Sequence, residues 1–160
     1  MKRHVSMAGM IALMILACTS VVRAEKWVKN SVDLPNQNIE ANYFDSASIK
    51  VNGALLSWTE KFVLSEFGGK HYTKHLMQYP ACRENIDKKG AVAYHQIDFE
   101  ISKGKARRVA KRNYTAKDEL ICTDKEMGTE FNTEWSEIEY GSAMYNRYYI
   151  FVSKYNVGNI

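Results

Sequence analysis

The chain has 160 residues, 46% of them hydrophobic and 12% aromatic, with a formal net charge of +4. That excess sits at the start: Lys2, Arg3 and Arg23 are basic and no acid precedes Glu25, so residues 25–160 keep 19 basic against 18 acidic residues, a net of +1. A near-neutral stretch of 136 residues excludes a global field that draws in nucleic acid, and suits a single domain with one modest core.

Lys2, Arg3 and His4 lead into the almost wholly apolar run Met7 to Ala17, and Val22-Arg23-Ala24 offers small residues at the two positions a signal peptidase inspects. Residues 1–24 therefore read as a secretory signal peptide, with an apolar part short of the roughly 20 residues a membrane span needs. Ile15-Leu16-Ala17-Cys18 supplies a second reading, a loose lipoprotein box in which Cys18 becomes the lipid-bearing first residue and a membrane tether. Cleavage after Ala24 has the better-formed site. Both readings export the chain and leave residues 25–160 as one domain.

Trp27 to Val32 reads as a first strand, closed by a Leu34-Pro35-Asn36 turn. Tyr43-Phe44-Asp45 is a short aromatic run, and Lys50-Val51-Asn52-Gly53 ends in a strong local turn signal. Beyond that turn Leu56, Trp58, Phe62 and Leu64 fall on alternate positions, with Glu60 the single polar break, so this strand has one buried face. Gly68-Gly69 reads as its end. His71 to Tyr79 reads as a further strand stopped by Pro80, and Asn85 to Gly90 as a charged loop.

Ala93, His95, Ile97, Phe99 and Ile101 alternate along the next strand, and Lys103-Gly104 turns the chain into a basic strand, Lys105 to Tyr114. Lys117 to Thr133 reads as an acidic loop. Ser142 is placed to cap a helix from Ala143 to about Lys154, with Met144, Tyr148, Phe151 and Tyr155 on one face. A helix of about a dozen residues must dock to persist. This order predicts an α+β fold, a curved antiparallel β-sheet with the C-terminal α-helix packed on one face.

Export leaves two cysteines able to pair, Cys82 and Cys122, and an even pair in an oxidising compartment reads first as a disulfide. Closing a loop of about 40 residues restricts the unfolded chain by roughly 4 kcal/mol in the entropy model. Without a C-x-x-C motif, a metal reading of these thiols is weaker.

Trp27-Val28, the segment Y-F-D-S-A-S-I-K from Tyr43, the strand residue Trp58, Cys82 and the late Trp135-Ser136-Glu137-Ile138-Glu139-Tyr140-Gly141-Ser142 together resemble the surface-adhesin protein E-like family of Gram-negative bacteria. The resemblance implies a cell-envelope binding protein, at the periplasm or outer-membrane surface, in a family where some members bind host matrix or plasma proteins. Members commonly carry a Cys near the C-terminal end that ties the helix to the sheet. Here Lys154 to Ile160 has none, so Cys122 is the partner left for Cys82.

Catalytic patterns are missing from the sequence. It has no G-x-S-x-G, no H-E-x-x-H and no phosphate-cradling glycine loop, and on a strand His71 and His75 stand about 13 Å apart, too far to share a zinc ion. Asp45, Glu60 and Asp98 occupy no recognisable motif. The chain is expected to act by binding, with no enzyme activity, cofactor or metal. The alternatives are a structural or assembly role in the periplasm and, more remotely, a small ligand-binding or hydrolytic protein with a pocket on the sheet face.

Two surfaces are candidates. Lys103, Lys105, Arg107, Arg108, Lys111 and Arg112 place six cations in ten residues, suited to an anionic glycan, a lipid headgroup or an acidic protein, or else to guarding a sheet edge against aggregation. In a regular strand Lys103, Lys105, Arg107, Val109 and Lys111 share one face. Along the helix Tyr145 and Tyr149 exceed what one buried stripe uses and suit contact with a protein partner.

Overall fold

The computed structural model describes residues 24–30, 37–128 and 133–155. The signal segment, Cys18 and the Leu34-Pro35-Asn36 turn lie outside the described residues. Among the described residues eight strands and three helices follow one another as β1 (Trp27–Lys29), β2 (Ile39–Asp45), β3 (Lys50–Asn52), β4 (Leu55–Leu64), α1 (Glu66–Leu76), α2 (Pro80–Lys89), β5 (Tyr94–Ser102), β6 (Lys105–Tyr114), β7 (Leu120–Thr123), β8 (Ser136–Glu137) and α3 (Ala143–Tyr155). All strand pairs are antiparallel in one open sheet ordered β1-β2-β4-β5-β6-β7, with β3 beside β4 and β8 beside β6. The architecture is α+β, as the element order predicts.

Local chemistry sets the hairpins. Gly53 at φ 59° closes β3 onto β4, and Lys103 with Gly104, at φ 50° and 74°, closes β5 onto β6. Two successive positive-φ residues match the twist of a hairpin. Alternation then sorts the side chains: Leu56, Trp58, Glu60, Phe62 and Leu64 face inward from β4, and His95, Ile97, Phe99 and Ile101 from β5. Trp58 is 2% exposed, stacked on Phe99 at 5.4 Å and tilted against Phe151 of α3 at 4.9 Å.

Two apolar clusters divide the core. One gathers Phe44, Leu56, Trp58, Phe62, Phe99 and Ile101 beneath α3, which contributes Phe151. The other gathers Leu64, Leu76, Ile86, Val92, Ile121 and the two cysteines beneath α1 and α2. Ser142 caps α3 through the Tyr145 N–H at 3.1 Å, as its sequence suggests.

Three expectations are overturned. Glu66 to Leu76 is a helix where a turn at Gly68-Gly69 and a strand from His71 are expected from sequence. Ser65 caps it by accepting the Gly68 N–H at 3.0 Å, and Lys70 pairs with Glu66 one turn apart. Asn85 to Gly90 is likewise not a loop but the end of α2. Pro80 starts that helix, where its missing N–H costs nothing, and Gly90 at φ 106° ends it. A further strand, β7, lies inside the expected acidic loop.

Cys82 of α2 and Cys122 of β7 meet as a disulfide with Cα atoms 5.2 Å apart, both fully buried. The bridge ties a helix to the sheet, but the helix is α2 and not the C-terminal one. Asn85 donates to the Ile121 carbonyl at 2.8 Å and Lys89 to that of Leu120 at 2.7 Å, so the same helix also holds β7 non-covalently.

Gly68 supplies a sharp test of the first correction. A Cβ built there lands on the carbonyl of Asn38. Helix propensity alone predicts that Gly68→Ala stabilises by about 1 kcal/mol. Overpacking against backbone costs about 1–3 kcal/mol, so urea denaturation of the variant is expected to show net destabilisation, whereas net stabilisation would mean the Asn38 segment does not rest on α1.

Candidate functional site

The basic run is not a uniform charged face. Asp98 pairs with Ala110 but Phe99 with Arg108, so Val109 is an extra residue that bulges from β6. The bulge reverses the alternation. Lys105 and Arg107 share the outer face with Arg112, while Lys111 turns inward with Arg108 and Asn113, which corrects the shared face expected of a regular strand.

Three of the six cations are matched by carboxylates. Arg112 grips Asp98 with two bonds of 2.6 and 2.7 Å, Arg107 pairs with Glu100 at 2.6 Å, and Lys105 reaches Glu137 at 3.0 Å. On β5 Glu100 stands directly opposite Arg107 and Asp98 lies diagonal to Arg112, and cross-strand opposite charges are mutually stabilising. Lys103 sits exposed in the hairpin turn. The expected edge also differs: β7 covers one end of β6 and β8 the other.

The aromatic candidates surround the start of α3. Tyr149 is 64% exposed, and Tyr145 packs against Tyr140, itself 88% exposed, at 4.9 Å. Trp135 lies over the Arg107 guanidinium at 4.6 Å. A groove of about 250 Å³ runs between β6, β8 and α3, lined by Arg107, Arg108, Ser136 and Met144 among others.

The sequence pattern missed a polar seam on the inner face, between the two apolar clusters. Asn42, Phe62, His95, Asn113 and Cys122 are successive cross-strand partners from β2 to β7, and Phe44, Glu60, Ile97 and Lys111 form the row beside them. Glu60 is 0% exposed. It accepts the Trp58 indole N–H at 2.9 Å and the Asn42 amide at 3.1 Å, and it pairs with Arg147 of α3 at 2.7 Å. Arg147 is itself buried, so the two charges meet away from solvent. Burial pushes the Glu60 carboxyl up, and Arg147 pulls it back, followed by Trp58 and Asn42.

His95 occupies the middle of the seam, with the Tyr72 ring of α1 edge-on at 4.7 Å. Burial pushes its pKa down to about 3, Lys111 adds to the shift, and Asn113 opposes it. Asn42 Oδ1, His95 Nδ1, Asn113 Oδ1 and Arg147 Nη2 are all buried without a hydrogen-bond partner, which leaves bonding capacity inside the fold. His71 and His75, expected on a strand, instead stand exposed one turn apart on α1. Among the described residues no three His, Cys, Asp or Glu side chains group to hold a metal ion. Asp45 and Asp98 are engaged separately, Asp45 by the Lys26 and Ala47 N–H groups at 2.7 and 2.9 Å, and Asp98 by Thr59 and Arg112.

Breaking the buried pair is expected to be costly. Arg147→Met leaves Glu60 without its counter-charge and should lower unfolding free energy by about 3–5 kcal/mol, and Glu60→Gln in the same chain should recover part of the loss. Additive losses in urea titrations would show that the two do not interact. His95 predicts a pH signature. The unfolded imidazole takes up its proton near 6.5 and the folded one only near 3, so stability is fully present above 6.5 and falls as pH drops through that window. Between pH 7 and 5 the loss from this group is about 2 kcal/mol. His95→Gln should flatten that slope, and an unchanged slope would assign it to other groups.

No protein-family model matches the chain, and no curated protein matches it. The likeness to the protein E-like adhesins therefore rests on its motifs.

Proposed function

We propose that the chain is an exported bacterial envelope protein that works by binding, as an adhesin-like module. The observation that carries this reading is the exposed aromatic surface at the start of α3. Phe151 and Arg147 hold that helix to the sheet, Tyr140 and Tyr149 are left in solvent, and the exposed Trp135 lies over Arg107. Tyrosine, tryptophan and arginine dominate the energetics of protein interfaces, because each offers large contact area with a polar end.

A protein partner fits better than an anionic glycan or lipid. Arg107, Arg112 and Lys105 already have carboxylates within 3.0 Å, so their charge is largely spent within the sheet. Binding through this surface should therefore depend little on salt. Salt weakens exposed charge attraction and leaves apolar contact nearly untouched.

Protease shaving of intact cells is expected to remove the protein, and the purified domain should be retained on members of a panel of immobilised matrix and plasma proteins. Tyr140→Ser with Tyr149→Ser should weaken that retention about tenfold or more with little change in melting temperature. Full retention by the double variant would remove this surface from the reading. Complete protection in intact cells would instead favour a structural or assembly role in the periplasm.

A further inference from the structure

His71 and His75 gain on α1 a relationship that a strand would deny them. Four residues along a strand would hold them about 13 Å apart. Along a helix the same step is about 6 Å of rise and little more than one turn, so the two imidazoles leave one face as neighbours. The Ser65 cap on the Gly68 N–H, at 3.0 Å, and the Glu66–Lys70 pair fix that helix from its first turn. Both histidines are exposed.

Their nitrogens are open. Among the described residues no hydrogen bond or ion pair engages a ring nitrogen of His71 or His75. The rings rest on aromatic carbon instead. His71 stacks on Phe67 at 6.4 Å and meets Tyr72 edge-on at 5.9 Å, and His75 meets Tyr79 edge-on at 5.6 Å. Phe67 is itself 57% exposed, so turning His71 away from it uncovers nothing of the core. Lys70 is held by Glu66 at 2.7 Å, which leaves Lys74 as the unpaired cation of this helix among the described residues. One exposed ammonium, screened by solvent, opposes a bound cation only weakly.

We propose that His71 and His75 form a two-histidine chelate for a late first-row divalent ion, copper(II) ahead of zinc(II). Imidazole suits both ions, and copper stands above zinc in intrinsic affinity for a given site. Histidines four apart on one helix face have the spacing that grips zinc in helical metal motifs. Each ring gives one nitrogen lone pair at about 2.0–2.1 Å from the ion. The cysteines cannot join, because both lie in the buried bridge, and His95 is enclosed beneath Tyr72. No third His, Cys, Asp or Glu side chain groups with the pair among the described residues, so water completes the coordination shell. Such a site is open and exchanging, suited to taking up an ion and handing it on. It is not a closed structural centre.

The test titrates the untagged folded protein at neutral pH with copper(II), zinc(II) and magnesium separately, following the heat of binding. One copper ion per chain is expected, held more tightly than zinc, with no uptake of magnesium. His71→Gln and His75→Gln should each weaken copper binding about tenfold or more, and the double variant should be little worse than either, because a chelate is lost with its first arm. Both positions are exposed, so the melting temperature of the metal-free variants should hardly move. Lys74→His in the His75→Gln background restores a pair three residues apart, which shares a face on a helix but not on a strand. That change should recover most of the affinity, whereas Lys74→Gln in the same background should not. Copper binding that ignores either single substitution overturns the proposal, as do two equal and independent losses or a failed Lys74→His rescue. Undiminished affinity in urea would do the same, since the helix is then gone.

Discussion

One buried ion pair governs how this small domain closes. Glu60 is the lone acid on the inner face of β4, and a carboxylate with no exposure cannot remain charged there without a partner. Arg147 supplies that partner from α3, and Phe151, one turn along, seats against Trp58 and Phe44. The helix is thereby fixed in both position and rotation, because slipping by one residue would strand both charges. Apolar packing alone is less selective, since aromatic rings tolerate several arrangements. The polar break in an otherwise apolar strand is thus what specifies where the C-terminal helix docks.

At the other end of the sheet the constraint is covalent. The Cys82–Cys122 bridge joins α2 to β7, and the hydrogen bonds from Asn85 and Lys89 reinforce the same contact. The two helical units so secured leave the seam of Asn42, His95 and Asn113 between them. Its unmatched polar atoms are enclosed by protein on both sides.

The Val109 bulge has consequences for charge out of proportion to one residue. It sets Arg107 and Arg112 beside Glu100 and Asp98 on the outer face, where they neutralise one another, and turns Lys111 inward. A run that reads as a basic stripe becomes a set of short ion pairs on the outer face, with Lys111 and Arg108 turned to the inner one. Trp135, Tyr140 and Tyr149 remain exposed and unclaimed by the core.

Much of the sheet was legible because its signals are local. Alternation in β4 and β5, Asn52-Gly53, Lys103-Gly104 and the Ser142 cap each depend on residues within a few positions of one another, so the sequence by itself determined the hairpins, the inner face with Trp58 and the C-terminal helix. It also determined that Cys82 and Cys122 were the pair available. Helices α1 and α2 were not legible. Gly68-Gly69 imitates a turn, and only the close approach of the Asn38 backbone explains a glycine inside a helix. Pro80 is equally able to stop a strand or start a helix, and the burial of Cys82 and Ile86 on one face decided between them. Tertiary structure alone decided the partner of Glu60, the register shift at Val109 and the meeting of Tyr72, His95 and Lys111. Each of these joins elements far apart in the chain, and periodicity within one element carries no information about which neighbour its side chains will face.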